Sequence, residues 1–125
     1  MTPRELSARI ELWATGVLTL TRPLLNRLDS RDLAQQLRRS ATATAINYGS
    51  ATVARSRADF TSKIGIALEE AEESLRWLRL CRNGLGLRGD AWDSALEEAR
   101  QLVAILGASA ATAKRNRRLG TNSGT

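Results

Sequence analysis

The sequence of 125 residues contains no histidine, and this absence limits the chemistry open to the protein. Histidine is the usual general base near neutral pH and the commonest metal ligand. The serines therefore lack the imidazole of a Ser-His-Asp triad, and the carboxylates lack the Glu-x-x-His pairs of a di-iron bundle. We predict that the protein is not an enzyme and that it binds no metal and no cofactor.

Cysteine and aromatic residues are also scarce. Cys81 is the one cysteine, which excludes a disulfide within the chain and fits a reducing compartment. Its place at the end of an apolar helical stripe favours a small core residue over a reactive thiol. With one Phe, one Tyr and three Trp, the core must be built mostly from aliphatic side chains. No run approaches the roughly 18 apolar residues of a membrane-spanning helix, so we expect a cytoplasmic protein without membrane contact.

Positive charge is present but unevenly placed along the chain. The net charge is +6, and four of these charges come from the tail residues Lys114, Arg115, Arg117 and Arg118. Residues 1–113 hold 15 basic and 13 acidic residues and therefore carry only +2. A basic tail on a nearly neutral body indicates nucleic-acid binding less strongly than a basic face does.

The apolar residues recur at steps of three and four, the pattern of helices that pack against one another. This spacing predicts four helices, at about residues 3–26, 30–54, 57–83 and 91–117. No convincing alternating strand pattern is present. We therefore predict an all-α, up-down-up-down four-helix bundle that forms a single domain over residues 1–119. Residues 120–125 have nothing apolar to bury and are expected to be a disordered tail.

Helix ends can be predicted from local sequence. Side chains with an oxygen that can accept a backbone N–H are expected to cap the four helices, namely Thr2, Asp29 or Ser30, Ser56 and Asp90. Pro23 should kink or stop the first helix near Arg22. The Asn83-Gly84 pair should end the third helix.

The predicted core positions differ in character between helices. In the first and second helices they are Leu6, Ile10, Trp13, Val17, Leu20, Leu24, Leu33, Leu37, Ser40, Thr44, Tyr48 and Ala51. In the third and fourth they are Phe60, Ile64, Ala67, Ala71, Leu75, Leu78, the stem of Arg82, Trp92, Leu96, Ala99, Val103, Leu106, Ala110 and Ala113. The stripe of the second helix is small and polar, so this helix needs packing partners to be stable.

The most distinctive segment begins with Gln-Leu-Arg-Arg-Ser-Ala at 36–41 and continues through Asn47 to Arg55-Ser56 and Asp59-Phe60. With Trp13, these residues resemble the 23S rRNA intervening-sequence proteins, a bacterial family of four-helix bundles related to accessory proteins of diversity-generating retroelements. The resemblance covers most of the chain. It implies a homopentamer with no known enzymatic activity and a connection to nucleic acid.

The chain departs from this family pattern shortly after the Asn. Family members often carry Ala-Glu-Gly there, whereas this sequence has Gly49-Ser50-Ala51. If that Glu normally pairs with an arginine of the second helix or lines an assembly surface, the arginine needs another partner here, and the acidic run Glu69 to Glu73 can supply one. Within the third helix, the same run is also spaced to meet Arg76 and Arg79.

Two hypotheses of function remain open. In the first, a symmetric scaffold binds RNA or DNA without sequence preference, and fivefold assembly multiplies its charge. The candidate contacts are Arg38, Arg39, Arg55, Arg57, Lys114, Arg115, Arg117 and Arg118. In the second, Arg38 and Arg39 are structural and the protein is an oligomeric adaptor for a protein partner, with Trp77 as an interface anchor. The small residues around Arg38 and Arg39 favour a subunit contact over a phosphate contact.

Overall fold

The computed structural model describes the backbone of residues 1–123 and the side chains of residues 1–120. It contains four α-helices and no strand in this part of the chain. They are α1 (Pro3–Thr21), α2 (Arg31–Thr52), α3 (Arg57–Leu85) and α4 (Asp90–Ser123), with a 3₁₀ segment at Arg22–Asn26. Each helix packs against the next, and α4 also packs against α1. The predicted all-α four-helix architecture is confirmed.

Local capping explains where two of the helices begin. The Thr2 hydroxyl oxygen accepts the backbone N–H of Glu5 at 3.1 Å, and Ser56 Oγ accepts that of Asp59 at 3.0 Å. Each contact satisfies a backbone donor that the first helical turn leaves without a partner. Both caps were predicted.

The start of α2 differs from the prediction. Ser30 precedes the helix, but its side chain makes no capping hydrogen bond. Its hydroxyl instead donates to the Leu24 carbonyl oxygen at 2.9 Å, fixing the loop against the 3₁₀ segment. The α4 prediction is also shifted, since Asp90 is the first residue of that helix rather than its cap.

Proline ends α1 as expected. The helix stops at Thr21, and the chain continues as the 3₁₀ segment that contains Pro23. Proline has no backbone N–H to donate, and its ring clashes with the preceding helical turn. The prediction that the first helix stops or kinks near Arg22 is therefore confirmed.

Two predicted boundaries at the C-terminal ends are wrong. Helix α3 continues past Gly84 to Leu85, because the left-handed residue that closes it is Gly86, with φ of 66°. Helix α4 continues to Ser123, so the predicted disordered tail is incorrect for residues 120–123. Residues 124 and 125 lie outside the described residues.

The four predicted stripes form one core. Most of their members are buried, while Leu20, Leu33, Phe60 and Val103 are only partly buried against it. The α2–α3 seam is lined by hydroxyls: Ser74 Oγ lies 2.8 Å from Ser40 Oγ, and both serines are fully buried. Small side chains at this contact let the two helices approach closely.

Candidate nucleic-acid interface

Arg38 is held inside the bundle by α1. Its side chain is half-buried, and Nη1 donates to the Leu18 carbonyl oxygen at 2.8 Å and to Thr21 Oγ1 at 2.9 Å. Leu18 belongs to the last turn of α1, whose carbonyls have no helical partner of their own. Arg38 therefore caps the end of α1 and ties α2 to it.

Arg39 joins α2 to α3 through the acidic run. Its Nη2 donates to both carboxylate oxygens of Glu73 at 2.9 Å, and Nη1 lies 3.5 Å from Glu70 Oε2. Trp77 Nε1 also donates to Glu73, at 3.3 Å. Burial raises the pKa of Glu73, but the hydrogen bonds from Arg39 and Trp77 outweigh burial and lower that pKa below its ordinary value. Glu73 is therefore an anion bound by two donors.

The acidic run of α3 supplies the anionic partner of Arg39, as the sequence analysis expected for an arginine of the second helix. Glu70 and Glu73 bind Arg39 across the helix interface. The predicted pairing along α3 is not what the described residues show, because Arg76 and Arg79 are exposed and the ion pairs of the run are made to α2. Arg39 still exposes 52% of its side chain.

The other candidate cations lie at one end of the bundle. The loops between helices are short, so successive helices run antiparallel, and the starts of α1 and α3 meet the ends of α2 and α4. Shared clefts confirm this arrangement, since Pro3 and Arg57 line one of them and Phe60 and Asn116 line another. We call residues 1–5, 52–63 and 112–120 the basic end.

The basic end accounts for the whole net charge of the protein. Its basic residues are Arg4, Arg55, Arg57, Lys63, Lys114, Arg115, Arg117 and Arg118. Its acidic residues are Glu5 and Asp59, which leaves a net +6. The rest of the chain has 11 basic and 11 acidic residues and is neutral. The +2 of the body thus lies beside the +4 of the tail, which the sequence analysis did not foresee.

The tail cations lie on the part of α4 that extends beyond the hydrophobic core. Ala113 is the last buried residue of α4, and residues 114–119 are all exposed. The guanidinium of Arg57 lies against Gly120, in the space that a β-carbon at that position would fill. This contact links the start of α3 to the end of α4. Arg55 and Arg57 are both exposed.

Three clefts meet around Phe60 at the basic end. They have volumes of about 380, 370 and 450 Å³, and Phe60 lines all of them. The first also contains Arg57, Thr61 and Asn116. An aromatic ring is therefore half-buried at the centre of a strongly cationic surface.

The family model for 23S rRNA-intervening sequence proteins matches residues 12–108. The chain belongs to this family. A crystal structure of a protein of unknown function from the S23 ribosomal protein family of Bacteroides thetaiotaomicron is similar to the chain, with 27% sequence identity and a TM-score of 0.76. The similarity covers 84% of this chain and 97% of that one. No curated protein matches the sequence.

Away from the basic end, residues of α1 and α4 line an apolar groove. Arg9 donates to both carboxylate oxygens of Glu98 at 2.7 Å, and Trp13 Nε1 donates to the Ala95 carbonyl at 3.1 Å. The groove has a volume of about 270 Å³ and is flanked by Leu12, which is 75% exposed. Leu12 therefore adds exposed apolar surface to that of the groove.

The thiol of Cys81 is buried in the core. Cys81 is 0% exposed, and burial raises the pKa of its thiol to about 11. The thiol is therefore protonated near neutral pH and packs as a small core residue. Across residues 1–123, no group of His, Cys, Asp and Glu could hold a metal ion. Over the same residues, no helix combines the length and apolar character needed to cross a bilayer.

Proposed function

We propose that the protein is a non-enzymatic, self-assembling helical scaffold that binds RNA or DNA without sequence preference through its basic end. The observation that carries this proposal is the placement of all six net charges at one end of the bundle. Lysine and arginine contacts to phosphate supply affinity without reading sequence. Such a scaffold would act in the cytoplasm.

The eight candidate cations divide into two roles in this proposal. Arg38 and Arg39 are structural, because their guanidinium groups are bound to α1 and α3. The phosphate contacts are assigned to Arg55, Arg57, Lys114, Arg115, Arg117 and Arg118. The structural arginines were part of the adaptor hypothesis, and nucleic-acid binding does not need them.

Assembly would increase the affinity of the basic end. A homopentamer, which the family resemblance implies, would combine five charges of +6 into +30. Weak single contacts would then act together on one nucleic acid. The groove beside Leu12 is a candidate subunit contact. The mass of the protein in solution tests the pentamer. The relation to retroelement accessory proteins stays a prediction.

Two variants with the same net charge test the phosphate contacts. The first replaces Lys114, Arg115, Arg117 and Arg118 with Gln. The control replaces Arg22, Arg76, Arg79 and Arg88, which are exposed and lie outside the basic end. We measure the affinity of both for a single-stranded oligonucleotide over a range of salt concentrations, after urea unfolding has shown that both are folded.

The two variants should differ in affinity for the oligonucleotide although both carry a net charge of +2. Each lost phosphate contact should reduce the slope of log K against log salt by about 0.7, so the basic-end variant should bind more weakly and with a flatter slope. The control should retain the slope of the original protein. Equal loss in both variants would show that only total charge matters and would overturn the assignment. If the unaltered protein binds no nucleic acid at low salt, the adaptor hypothesis takes its place.

A further inference from the structure

We propose that one of the three clefts around Phe60, the one that also contains Asn116, Leu119 and Gly120, takes one unpaired nucleobase. The basic end would then select single-stranded over duplex nucleic acid. This inference rests on the proposed function and names the substrate class of the same surface. It depends on a combination of an apolar wall, a polar edge and surrounding cations within one cleft.

The walls of the cleft suit the flat face of a base. Phe60, Ala113 and Leu119 provide apolar surface, and the cleft has a volume of about 380 Å³. Aromatic side chains are the usual platforms on which unpaired bases stack. A base held within a duplex has no free face to offer, because both faces are stacked on its neighbours.

The rim of the cleft offers hydrogen-bonding groups to the edge of a base. Asn116 is exposed and carries an amide that both donates and accepts. Thr61 Oγ1 donates to the Arg57 carbonyl oxygen at 2.7 Å, so its proton is used and its oxygen can still accept a hydrogen bond. An amide and a hydroxyl can adapt to several bases, which agrees with binding that lacks sequence preference.

Charge complementarity identifies the occupant as nucleic acid rather than an apolar ligand. The Arg57 side chain lines the cleft, and Lys114, Arg115 and Arg117 follow Ala113 directly on α4. A strand that places a base beside Phe60 therefore has its phosphates within a cationic surface. The groove between α1 and α4 is also apolar, but it lies where the chain is neutral overall.

The test compares strands that have the same phosphates with and without bases. The probes are single-stranded oligo(dT) and oligo(U) of about 12 nucleotides, a length in the range of single-strand sites. An abasic strand and a duplex of the same length complete the set. We expect oligo(dT) to bind roughly 5- to 150-fold more tightly than the abasic strand, the factor that stacking one base provides. The two single strands distinguish DNA from RNA as the source of the base.

Two substitutions locate this preference in the cleft. Phe60→Leu keeps apolar volume but removes the aromatic face, and Asn116→Ala removes the amide from an exposed position. Both should reduce the preference for oligo(dT) over the abasic strand while leaving the salt slope unchanged, because phosphate contacts are retained. The matched control is Asn83→Ala, an exposed asparagine of α3 far from the basic end. Should Phe60→Leu fail to fold, Asn116→Ala still decides the question.

The outcomes separate the inference from the function on which it rests. Equal, salt-dependent affinity for oligo(dT) and the abasic strand would overturn the base cleft and leave phosphate binding in place. Tighter binding of the duplex than of either single strand would also overturn it. Binding of none of the four probes at low salt would overturn the proposed function itself.

Discussion

The two arginine groups of this protein differ in what surrounds them. Arg38 and Arg39 lie along the length of the bundle, where carbonyl, hydroxyl and carboxylate oxygens of α1 and α3 bind their guanidinium groups. Arg55 and Arg57 lie at the basic end and are exposed, and Arg57 lies against Gly120 of α4. In the sequence the two groups lie close together, at the middle and just beyond the end of α2.

This difference shows that the number of cations in a segment does not reveal how many are available to a ligand. The guanidinium groups of Arg38 and Arg39 face neighbouring helices, whose oxygens bind them. A cation at a helix end faces solvent and the ends of other helices, so its charge adds to theirs. The groups that the fold places around an arginine therefore decide its role.

Replacing one arginine of each group by methionine tests whether the two groups have different roles. Arg38→Met should reduce the free energy of unfolding by about 1–3 kcal/mol, because the Leu18 carbonyl and the buried Thr21 hydroxyl lose a charged donor. Arg55→Met is the matched change at an exposed site and should stay within about 0.5 kcal/mol. Urea unfolding measures both.

Nucleic-acid affinity should show the reverse order for these two variants. Folded Arg38→Met should bind oligo(dT) as the original protein does, whereas Arg55→Met should bind more weakly. A stable Arg38→Met protein with reduced affinity would contradict the division into structural and binding arginines.

The pH dependence of stability sharpens the account of Arg39. The pKa of Glu73 is lowered in the folded protein, so its stabilising effect is complete above the ordinary value of 4.5 and is lost as pH falls through the lowered value. Glu73→Gln should therefore be less stable than the original protein at neutral pH, by less than Arg38→Met, and the difference should shrink below pH 4.5. Urea unfolding at several pH values measures this gap. Glu69→Gln, at an exposed neighbour, should show no such gap, and a gap of equal size there would refute the role of Arg39.

The smallest expected effect concerns Arg57. A methyl group at residue 120 would occupy the place of the Arg57 guanidinium, so Gly120→Ala requires that side chain to move. An arginine at the basic end can move into solvent at little cost, and the change in unfolding free energy should stay within about 0.5 kcal/mol. Thermal or urea unfolding provides the measurement. A much larger loss of unfolding free energy would show that Arg57 is a structural arginine, as Arg38 and Arg39 are.

Much of the fold follows from local rules that act within a helix. Periodic apolar residues, the Thr2 and Ser56 caps and the stop at Pro23 depend on neighbours a few positions away, and each was predicted correctly. The predicted end of α3 was wrong because either Gly84 or Gly86 could have closed the helix on sequence grounds. The backbone geometry identifies Gly86 as the left-handed residue.

The candidate site was only half predicted, since its cations come from separate segments. The acidic partner of Arg39 could be named because an expected family Glu was missing. The joint position of Arg4, Arg55, Lys63 and the tail could not be read from linear charge counts. Grouping the charges by helix end, using the predicted up-down topology, would have found it.

The hydroxyl contact between α2 and α3 has a consequence for which sequences this bundle tolerates. Ser74 Oγ lies 2.9 Å from the Glu70 carbonyl oxygen and Ser40 Oγ lies 3.2 Å from that of Leu37, so each hydroxyl has an acceptor in its own helix. Removal of either one leaves no buried donor without a partner. Side-chain volume, rather than polarity, is therefore what this seam specifies. Alanine fits the same spacing, whereas valine or leucine would push the two helices apart.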